Sequence, residues 1–560
     1  MSNWLLASVF RIFTDMDILS VLETNAELFP NKVVYGYVDK DAKLSEELSY
    51  QELLQEVVGT SGLLGARYFR KSRIVILLPA ESSFIISFLA ALHAGLIAVP
   101  CPIGFSEAGI NRILNIIQNC AASGIITNRK TYKMLFQRQT LASKLLEDSE
   151  IQWFFTDDLN HILPSTVLKK SVKENQAAYL QYTSGSTNAP KGVMISHENL
   201  LANLSAINHC FGRTANDVSI TWLPHYHDMG LVDGLLSPLY TGGTALVMSP
   251  LLFVTKPFLL LKAMTDYKVS FSGGPGFGLD HCVSKIKAEQ IAECDLSSLR
   301  GLYVGAEPIR LASLDRFSEA MKPAGFNKNC LIPAYGLAEA TLAVSLHYAG
   351  TALTYKREND GPKEILACGP PVENTEVVIV DPETREIQQD GAIGEIWVSN
   401  AGVALGYWNN PEATEETFKA YTNCEKGPYL RTGDLGFMLD GKLFITGRKK
   451  ELIIIRGVNY YPQDIEEIVR ESHEDIQPNA TAAFAVDTVY GEALMIVTEL
   501  KRATPTEEVI ENVKIKIAHH IGAAFGLVPH EIMLIQTGKL PKTSSGKIQR
   551  LKAREIFNVN

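Results

Sequence analysis

Short apolar runs alternate with longer amphipathic segments over most of the chain. Residues 73–79 read RIVILLP and are followed at 82–95 by SSFIISFLAALHAG, and residues 269–274 read VSFSGG before a helical pattern begins. Short runs of β-branched and apolar residues are typical of buried strands, whereas apolar residues spaced three or four apart are typical of helices. The alternation therefore predicts an α/β fold with parallel sheets flanked by helices.

The pattern changes after about residue 370, where shorter strands suggest a small β-rich subdomain that we place at about 370–447. A last module mixes helices and strands, so we predict an N-terminal domain over 1–447 and a small C-terminal α+β domain over 448–560. The charged run Arg448–Glu451 is a candidate hinge. The predicted elements of this region are strands at 375–387, 394–400, 441–447 and 493–500 and helices at 464–473 and 507–521.

The most apolar stretch, residues 83–100, carries no formal charge and approaches the length of a membrane span. His93 and Gly95 divide it into a helix and a short strand, so we interpret it as part of a buried strand–helix–strand unit. Residues 1–13 lack the basic region and the cleavage site of a secretory signal. We therefore expect no stable membrane insertion.

The amino-acid composition argues against several classes of function. The 560 residues predict more than one domain, and the net charge of −10, from 52 basic and 62 acidic residues, argues against a nucleic-acid binder. The eight cysteines are scattered without a CxxC pair, so neither a zinc site nor a disulfide framework is indicated. A reducing, cytoplasmic location fits this pattern.

Residues 182–192 read YTSGSTNAPKG and directly follow an apolar strand pattern. Glycines allow backbone N–H groups to approach a ligand closely, and hydroxyl groups with a lysine add donors and positive charge. This composition predicts a polyphosphate-binding loop, although its spacing is neither GxxxxGK[ST] nor GxGxxG. A flexible linker is the alternative, but Ser196 is a helix N-cap candidate just after the apolar GVMI, which favours an ordered loop.

Four further motifs follow in a fixed order. They are YGLAEATL at 335–342, YLRTGDLGF at 429–437, GRKKELIIIRGVNYYPQDIE at 447–466 and LPKTSSGKIQR at 540–550. Together with the loop, they strongly resemble the acyl-adenylate-forming superfamily, which includes acyl-CoA synthetases, luciferases and the adenylation domains of peptide synthetases. The resemblance covers about residues 20–555. It implies the superfamily's fold, with a C-terminal domain that rotates about Lys450, although a solvated surface lysine is the simpler interpretation of Lys450.

The segment WLPHYHDMGLVDGLL at 222–236, with details of the other motifs, resembles the fatty acyl-AMP ligase branch. That resemblance implies activation of a medium- or long-chain fatty acid by ATP and Mg²⁺ to an acyl adenylate, with release of pyrophosphate. The acyl group then passes to the phosphopantetheine thiol of an acyl carrier protein. No carrier domain is recognisable in the chain, so we expect a separate carrier protein or a downstream synthase module, with Lys449, Lys450, Arg456 and Lys539 as candidate docking residues.

The resemblance also assigns residue roles. It implies that Lys547 bridges the carboxylate and the α-phosphate, that Glu339 holds Mg²⁺ with Thr183, and that His227 lies at the acyl wall near the carboxylate. A buried Glu339 would need a cation, whereas a packed histidine is the plain alternative for His227. The residues that the resemblance assigns to ATP are Thr183, Ser184, Gly185, Ser186, Thr187 and Lys191 for the phosphates, Gly305, Ala306, Glu307, Tyr335, Gly336, Leu337 and Ala338 for the adenine slot, and Asp434 and Arg448 for the ribose.

Two segments depart from the branch. Residues 275–279 read PGFGL where the branch commonly has PNFAY, which predicts an altered acyl tunnel and a changed chain-length preference of unknown direction; the tunnel is also expected to use the segments around Leu231, Gly273 and Gly274. The insertion at about 346–367, which in this branch restrains domain rotation, is shorter than usual. An acyl-CoA synthetase therefore stays the alternative function.

Two other classes of protein share features with this sequence. A catalytically inactive scaffold that docks a carrier protein is disfavoured because Glu339, Asp434, Arg448 and Lys547 are all retained. An amino-acid-adenylating domain needs a buried acidic partner for the substrate amine, and Asp228, Asp233 and Asp280 are the candidates in the acyl-wall segments.

Overall fold

The computed structural model describes residues 17–137, 139–159, 176–183, 190–357, 364–455, 458–488, 491–501, 505–543 and 546–557. Within these ranges two large sheets are built mainly from parallel strands with helices between them in the chain. The α/β prediction is therefore confirmed.

The strands of the described residues vary from short triplets to a long hairpin. They are β1 (Val33–Val38), β2 (Leu44–Ser49), β3 (Arg73–Ile76), β4 (Ile97–Pro100), β5 (Gly124–Thr127), β6 (Gln152–Phe155), β7 (Ala177–Thr183), β8 (Lys191–Ser196), β9 (Val218–Thr221), β10 (Thr244–Met248), β11 (Phe271–Gly274), β12 (Gly301–Val304), β13 (Leu331–Gly336), β14 (Ala343–Leu346), β15 (Tyr355–Arg357), β16 (Glu364–Leu366), β17 (Glu376–Val380), β18 (Gly394–Ser399), β19 (Leu430–Leu439), β20 (Lys442–Arg448), β21 (Ile453–Ile455), β22 (Val458–Tyr460), β23 (Ile476–Thr488), β24 (Gly491–Leu500) and β25 (Glu531–Gln536).

The helices connect these strands and cover the sheets. They are α1 (Ile18–Leu28), α2 (Tyr50–Arg67), α3 (Ser82–His93), α4 (Glu107–Cys120), α5 (Arg129–Phe136), α6 (Leu141–Glu147), α7 (His197–Phe211), α8 (Ser237–Thr241), α9 (Pro250–Thr255), α10 (Phe258–Asp266), α11 (Gly276–Lys285), α12 (Ala288–Ala292), α13 (Leu311–Met321), α14 (Pro411–Phe418), α15 (Pro462–Ser472), α16 (Glu507–Phe525) and α17 (Arg550–Phe557), with a π-helix at Met229–Leu236 and short 3₁₀ helices at Thr156–Leu159, Lys322–Ala324, Lys328–Cys330, Ala338–Ala340 and Lys449–Glu451.

The larger sheet has eight strands in the order β14-β13-β12-β11-β9-β10-β1-β2. Its inner strands are parallel, and only β14 and β2, at the two edges, run antiparallel to their neighbours. A second sheet, β6-β5-β3-β4-β7-β8, is also parallel except for the edge hairpin β7–β8. Because parallel strands need covered crossovers, most of their residues are buried.

The apolar stretch at 83–100 forms helix α3 followed by strand β4, as the sequence predicts. Nine consecutive residues, 84–92, are buried because α3 packs between a sheet and helix α2. Burying each large apolar side chain contributes about 1.5–3 kcal/mol, which explains an apolar helix inside a globular domain. Within the described ranges, every helix is too short or too polar to cross a bilayer.

The β-rich region is a four-stranded antiparallel sheet, β17-β18-β19-β20. Strands β17, β18 and β20 were predicted from the sequence, whereas β19, which contains the RTGD motif, was not. After the short 3₁₀ helix Lys449–Glu451, α15 and α16 cover the three-stranded sheet β23-β24-β25, which has its own apolar core around Ile465 and Ile517. The domain boundary at 447/448 stays a prediction.

Candidate active site

One cleft of about 2140 Å³ collects most of the residues that the sequence motifs single out. It lies at the carboxyl ends of β7, β11, β12 and β13 and continues to β19 and β20. Parallel sheets commonly bind ligands at this edge, because all their strands deliver loops to the same side. The C-terminal residues 542–543 and 546–552 form another wall of the cleft.

Three predicted nucleotide contacts meet at Asp434. The Tyr335 hydroxyl donates to Oδ2 of Asp434 at 2.7 Å, and Nε of Arg448 donates to Oδ1 at 2.7 Å. Asp434 stands directly opposite Arg448 in the β19–β20 pair, so the hairpin register sets this ion pair. The carboxylate is buried, and both oxygens are oriented by fixed donors, which makes it a pre-organised acceptor for neighbouring hydroxyl groups.

A second group forms around Glu339. The Tyr407 hydroxyl donates to Oε1 of Glu339 at 2.8 Å, and Nζ of Lys191 lies 4.8 Å from the centre of the Tyr407 ring. Lys191 is the register partner of Thr183 in the β7–β8 hairpin, so both ends of the predicted phosphate loop come to this point. Burial raises the pKa of Glu339, while the Tyr407 hydrogen bond opposes that shift.

A third cluster of site residues lies at the N-terminus of the π-helix. Nδ1 of His227 lies 2.5 Å from Oδ1 of Asp228, whose Oδ1 also accepts the Met229 backbone N–H at 2.7 Å. Burial alone would raise the pKa of Asp228, but the imidazole of His227 and the ammonium group of Lys547 hold it below the ordinary value. Lys547 is thus close enough to interact electrostatically with this acid.

Burial lowers the pKa of Lys547, and the neighbouring Asp228 opposes this shift while Arg448 adds to it. Glu307 and Asp434 also act on this lysine. The predicted catalytic lysine, the acyl-wall histidine segment and the ribose-binding acid are therefore in one place, although they are separated by more than a hundred positions in sequence.

The adenine-slot segments are packed tightly. A Cβ on Gly305 would lie 2.7 Å from the Ala334 carbonyl oxygen, and one on Gly336 would lie 1.8 Å from the Leu342 carbonyl oxygen. Ala306 adopts a left-handed backbone (φ 67°), a conformation that costs energy for a residue with a Cβ. Only glycine permits the neighbouring backbone to come this close at positions 305 and 336. Leu337 and Ala338 line the same cleft.

Glu307, which is predicted to form one wall of the adenine slot, lines the cleft, and that role stays a prediction. Its Oε1 accepts the Phe277 backbone N–H at 2.7 Å and thereby caps helix α11. Burial raises the pKa of Glu307, and the Phe277 hydrogen bond opposes this. Phe277 was not singled out as a site residue, and neither was Tyr407; both line the cleft.

Some predictions fall outside the described residues. These are the loop residues Ser184, Gly185, Ser186 and Thr187, the docking candidate Arg456, and positions 358–363 of the insertion. The described ends of the insertion form the antiparallel pair β15–β16. Lys449 and Lys450 line the cleft.

The three acids proposed for an amine-binding site are all partnered. Asp228 is held by His227, Asp233 accepts from Arg213 at 2.6 Å, and Asp280 accepts from Ser313 and Arg316. These partners already compensate much of the negative charge that a substrate amine would need. The amino-acid-adenylating alternative is therefore not supported by this geometry.

The side chains of the cleft suit a Mg²⁺ ion whose ligands come mainly from the nucleotide phosphates. In the described part of the chain no group of three His, Cys, Asp or Glu side chains could hold a metal ion. Mg²⁺ is often bound by one or two carboxylates together with nucleotide phosphates, and the Glu339 carboxylate near Thr183 and Lys191 offers such a ligand. The residues therefore fit a metal that arrives with a nucleotide.

Comparison with known proteins identifies the family of the chain. The AMP-binding enzyme family matches residues 22–408, and the family described as Disco-interacting protein 2-like, AMP domain, matches residues 450–559. The chain is 38% identical to the medium-chain-fatty-acid–[acyl-carrier-protein] ligase JamA of Moorena producens, over 96% of this chain and 95% of that protein. It is 33% identical to the long-chain-fatty-acid–AMP ligase FadD26 of Mycobacterium marinum, over 97% of both chains.

Among solved structures, a fatty acyl-adenylate ligase from L. pneumophila in complex with acyl adenylate and pyrophosphate superposes with a TM-score of 0.73 at 33% identity. The match covers 97% of this chain and 96% of that one. The fold is that of an acyl-adenylate-forming enzyme. The chain belongs to the AMP-binding enzyme family, which confirms the superfamily predicted from the sequence.

Proposed function

We propose that the protein is a fatty acid–AMP ligase that transfers its acyl group to an acyl carrier protein. The observation that carries this proposal is the meeting of Lys547, Asp228 and Asp434 in one cleft. The names of the relatives support the proposed fatty acid substrate and the proposed carrier-protein acceptor. One relative is a medium-chain-fatty-acid–[acyl-carrier-protein] ligase, and the other is a long-chain-fatty-acid–AMP ligase.

In the first step, a carboxylate oxygen of the fatty acid attacks the α-phosphorus of ATP. A new P–O bond forms to the acyl oxygen, and the bond to the bridging oxygen of pyrophosphate breaks. Asp434, oriented by Tyr335 and Arg448, accepts the ribose hydroxyls, and Tyr335 borders the adenine with Gly305, Ala306, Gly336, Leu337 and Ala338. Lys547 places positive charge between the carboxylate and the α-phosphate, where negative charge builds up.

Lys191 and Thr183 hold the leaving phosphates, together with loop residues Ser184, Gly185, Ser186 and Thr187. Glu339 and Thr183 would hold Mg²⁺, which neutralises phosphate charge when bound. His227, fixed by Asp228, borders the substrate carboxylate. Catalysis in this scheme is mainly positioning and charge stabilisation rather than covalent chemistry.

In the second step, the phosphopantetheine thiol of a carrier protein attacks the acyl carbonyl carbon. A C–S bond forms, the bond between that carbon and the phosphate oxygen breaks so that AMP leaves, and the thiol proton passes to solvent. The boundary at 447/448 and a rotation about Lys450 would allow the C-terminal domain to exchange Lys547 for the incoming thiol. The acyl-CoA synthetase alternative differs only in this acceptor. A cytoplasmic location fits eight free cysteines.

Lys547→Ala is the direct test of the first step. We expect ATP–pyrophosphate exchange with a medium-chain acid to fall by at least ~10²-fold, the scale of removing one transition-state charge stabiliser. The exposed Lys516→Ala, in helix α16 of the same C-terminal region, is the matched control and should keep wild-type exchange. Equal exchange rates for the wild type and Lys547→Ala would refute the assignment.

A further inference from the structure

Strand β11 presents two consecutive glycines to opposite sides of the large sheet. A Cβ on Gly273 would lie 2.3 Å from the ring of Tyr303, and a Cβ on Gly274 would lie 2.6 Å from the indole of Trp222. Each glycine therefore lies flat against one aromatic ring. The two rings belong to different cavities, because Tyr303 lines the active-site cleft and Trp222 lines a separate small apolar cavity.

Tyr303 is fixed from two directions. It stands beside Gly273 in the β11–β12 register, which holds the ring from below. The Asp233 carboxylate is close enough to add to the burial that raises the pKa of Tyr303, and Arg213 donates to both oxygens of that carboxylate, at 2.6 and 3.2 Å. The guanidinium group of Arg213 also contacts Ser237 at 2.6 Å. Such a ring has little freedom to turn aside for a ligand.

Tyr303 lies among apolar side chains that line the same cleft. Ile207, Phe211, Met229 and Leu342 are lining residues together with it. Asp233 lies five positions beyond Asp228, in the π-helix that begins next to that acid. The guanidinium group of Arg213 lies 4.9 Å from the centre of the Phe271 ring, and Arg213, Ser237 and Phe271 are all buried.

We propose that Tyr303, packed against Gly273, limits the length of the acyl chain that the enzyme accepts. In this proposal the chain runs from the carboxylate beside His227 along Met229 and Phe211 to the Tyr303 ring, where a longer chain meets a rigid aromatic wall. The enzyme then prefers medium-chain over long-chain acids. This inference rests on the proposed function, since it assigns this part of the cleft to the fatty acyl chain.

The proposal is tested by the preference of the enzyme for acids of different chain length. Adenylate formation is measured for saturated C6 to C18 acids with the wild type, Tyr303→Leu and Tyr303→Trp. We expect Tyr303→Leu to raise the ratio of kcat/KM for long-chain acids to kcat/KM for medium-chain acids by on the order of tenfold or more. Each methylene group that an apolar pocket accommodates changes kcat/KM by about tenfold or more. Tyr303→Trp should move the optimum in the opposite direction, toward shorter acids.

Two control variants separate the effect of the size of the side chain at position 303 from other effects of substitution. Tyr303→Phe keeps the ring and should keep the wild-type optimum, and Trp222→Leu removes an aromatic ring on the other face of β11 and should also keep it. The inference is overturned if Tyr303→Leu and Tyr303→Trp both retain the wild-type optimum, or if Trp222→Leu shifts it equally. A wild type that adenylates none of the acids would instead refute the proposed function.

Discussion

At the residue scale, the proposed chemistry of the cleft depends on a lysine that lies among charges of both signs. Lys547 is near three acids that favour its charged form, Asp228, Glu307 and Asp434, and near Arg448, which disfavours it. Burial is the largest influence, and it lowers the pKa of Lys547 below the ordinary value of 10.5. Only the protonated lysine can stabilise charge on the carboxylate and the α-phosphate.

This lowered pKa predicts an alkaline limit of activity. As pH rises through the pKa of Lys547, the ammonium group is lost, so kcat/KM for adenylation should fall at a pH below that of an ordinary lysine. Because arginine stays charged in this range, Lys547→Arg should move the alkaline limb upward, even if its maximum rate is lower. A pH profile of ATP–pyrophosphate exchange checks this, and the same alkaline limb in both proteins would contradict it.

The sequence motifs predicted which residues meet, but not all their partners. Lys547, Glu339, Asp434 and Arg448 were each found from short motifs and do line one cleft. Tyr407 was missed because its bond to Glu339 spans 68 positions and no local pattern marks it. Glu307 was found, yet its bond to Phe277 depends on how β12 and α11 pack, which spacing alone does not encode.

At the element scale, strand ends place the chemistry. The carboxyl ends of β12 and β13 carry Gly305 and Gly336, whereas the β19–β20 pair sets Asp434 opposite Arg448. Strand β19 was not predicted because Arg431, Thr432 and Gly433 interrupt its apolar pattern. It is a strand because β18 and β20 pair with it on both sides, so tertiary context outweighs local preference.

The tight turn after β13 predicts a strong effect of Gly336→Ala. The added Cβ would meet the Leu342 backbone oxygen at 1.8 Å, so the segment that carries Glu339 must shift. We expect the free energy of unfolding to fall by about 1–3 kcal/mol and adenylation to fall by at least ~10-fold, measured by denaturant unfolding and ATP–pyrophosphate exchange.

Gly65→Ala is the matched control for this substitution. Gly65 lies in helix α2, and a Cβ there meets no atom within 4 Å. Alanine should stabilise the helix by about 0.5–1 kcal/mol and leave exchange unchanged. If Gly336→Ala behaves like Gly65→Ala, the turn does not constrain the site.

At the scale of the whole molecule, the C-terminal region contacts the N-terminal part beside the cleft. Arg470 of α15 lies 3.9 Å from Asp280 of α11, and Glu467 lies 3.6 Å from Arg310. A Cβ on Gly546, next to Lys547, would lie 3.4 Å from the Phe277 ring. These contacts hold the C-terminal region in the orientation that delivers Lys547.

Weakening this orientation should affect the two half-reactions differently. Arg470→Gln removes the ion pair with Asp280, so we expect adenylation to slow several-fold, because a pair of this kind contributes about 1 kcal/mol or less. Transfer from preformed acyl adenylate to a carrier protein should change by less than about twofold, since it needs Lys547 withdrawn. Asp266→Asn, in an exposed pair on α10, is the control and should alter neither step; equal slowing of both steps by Arg470→Gln would contradict this.

The most direct measurement is mass spectrometry of the products formed from Mg·ATP and a medium-chain acid, with coenzyme A and a phosphopantetheinylated carrier protein offered in parallel. We predict acyl-AMP in both reactions, the acyl group on the carrier protein, and no acyl-coenzyme A. Abundant acyl-coenzyme A would contradict the carrier-protein assignment and move the enzyme to the acyl-CoA synthetases. The absence of acyl-AMP with every fatty acid would contradict the proposed substrate class.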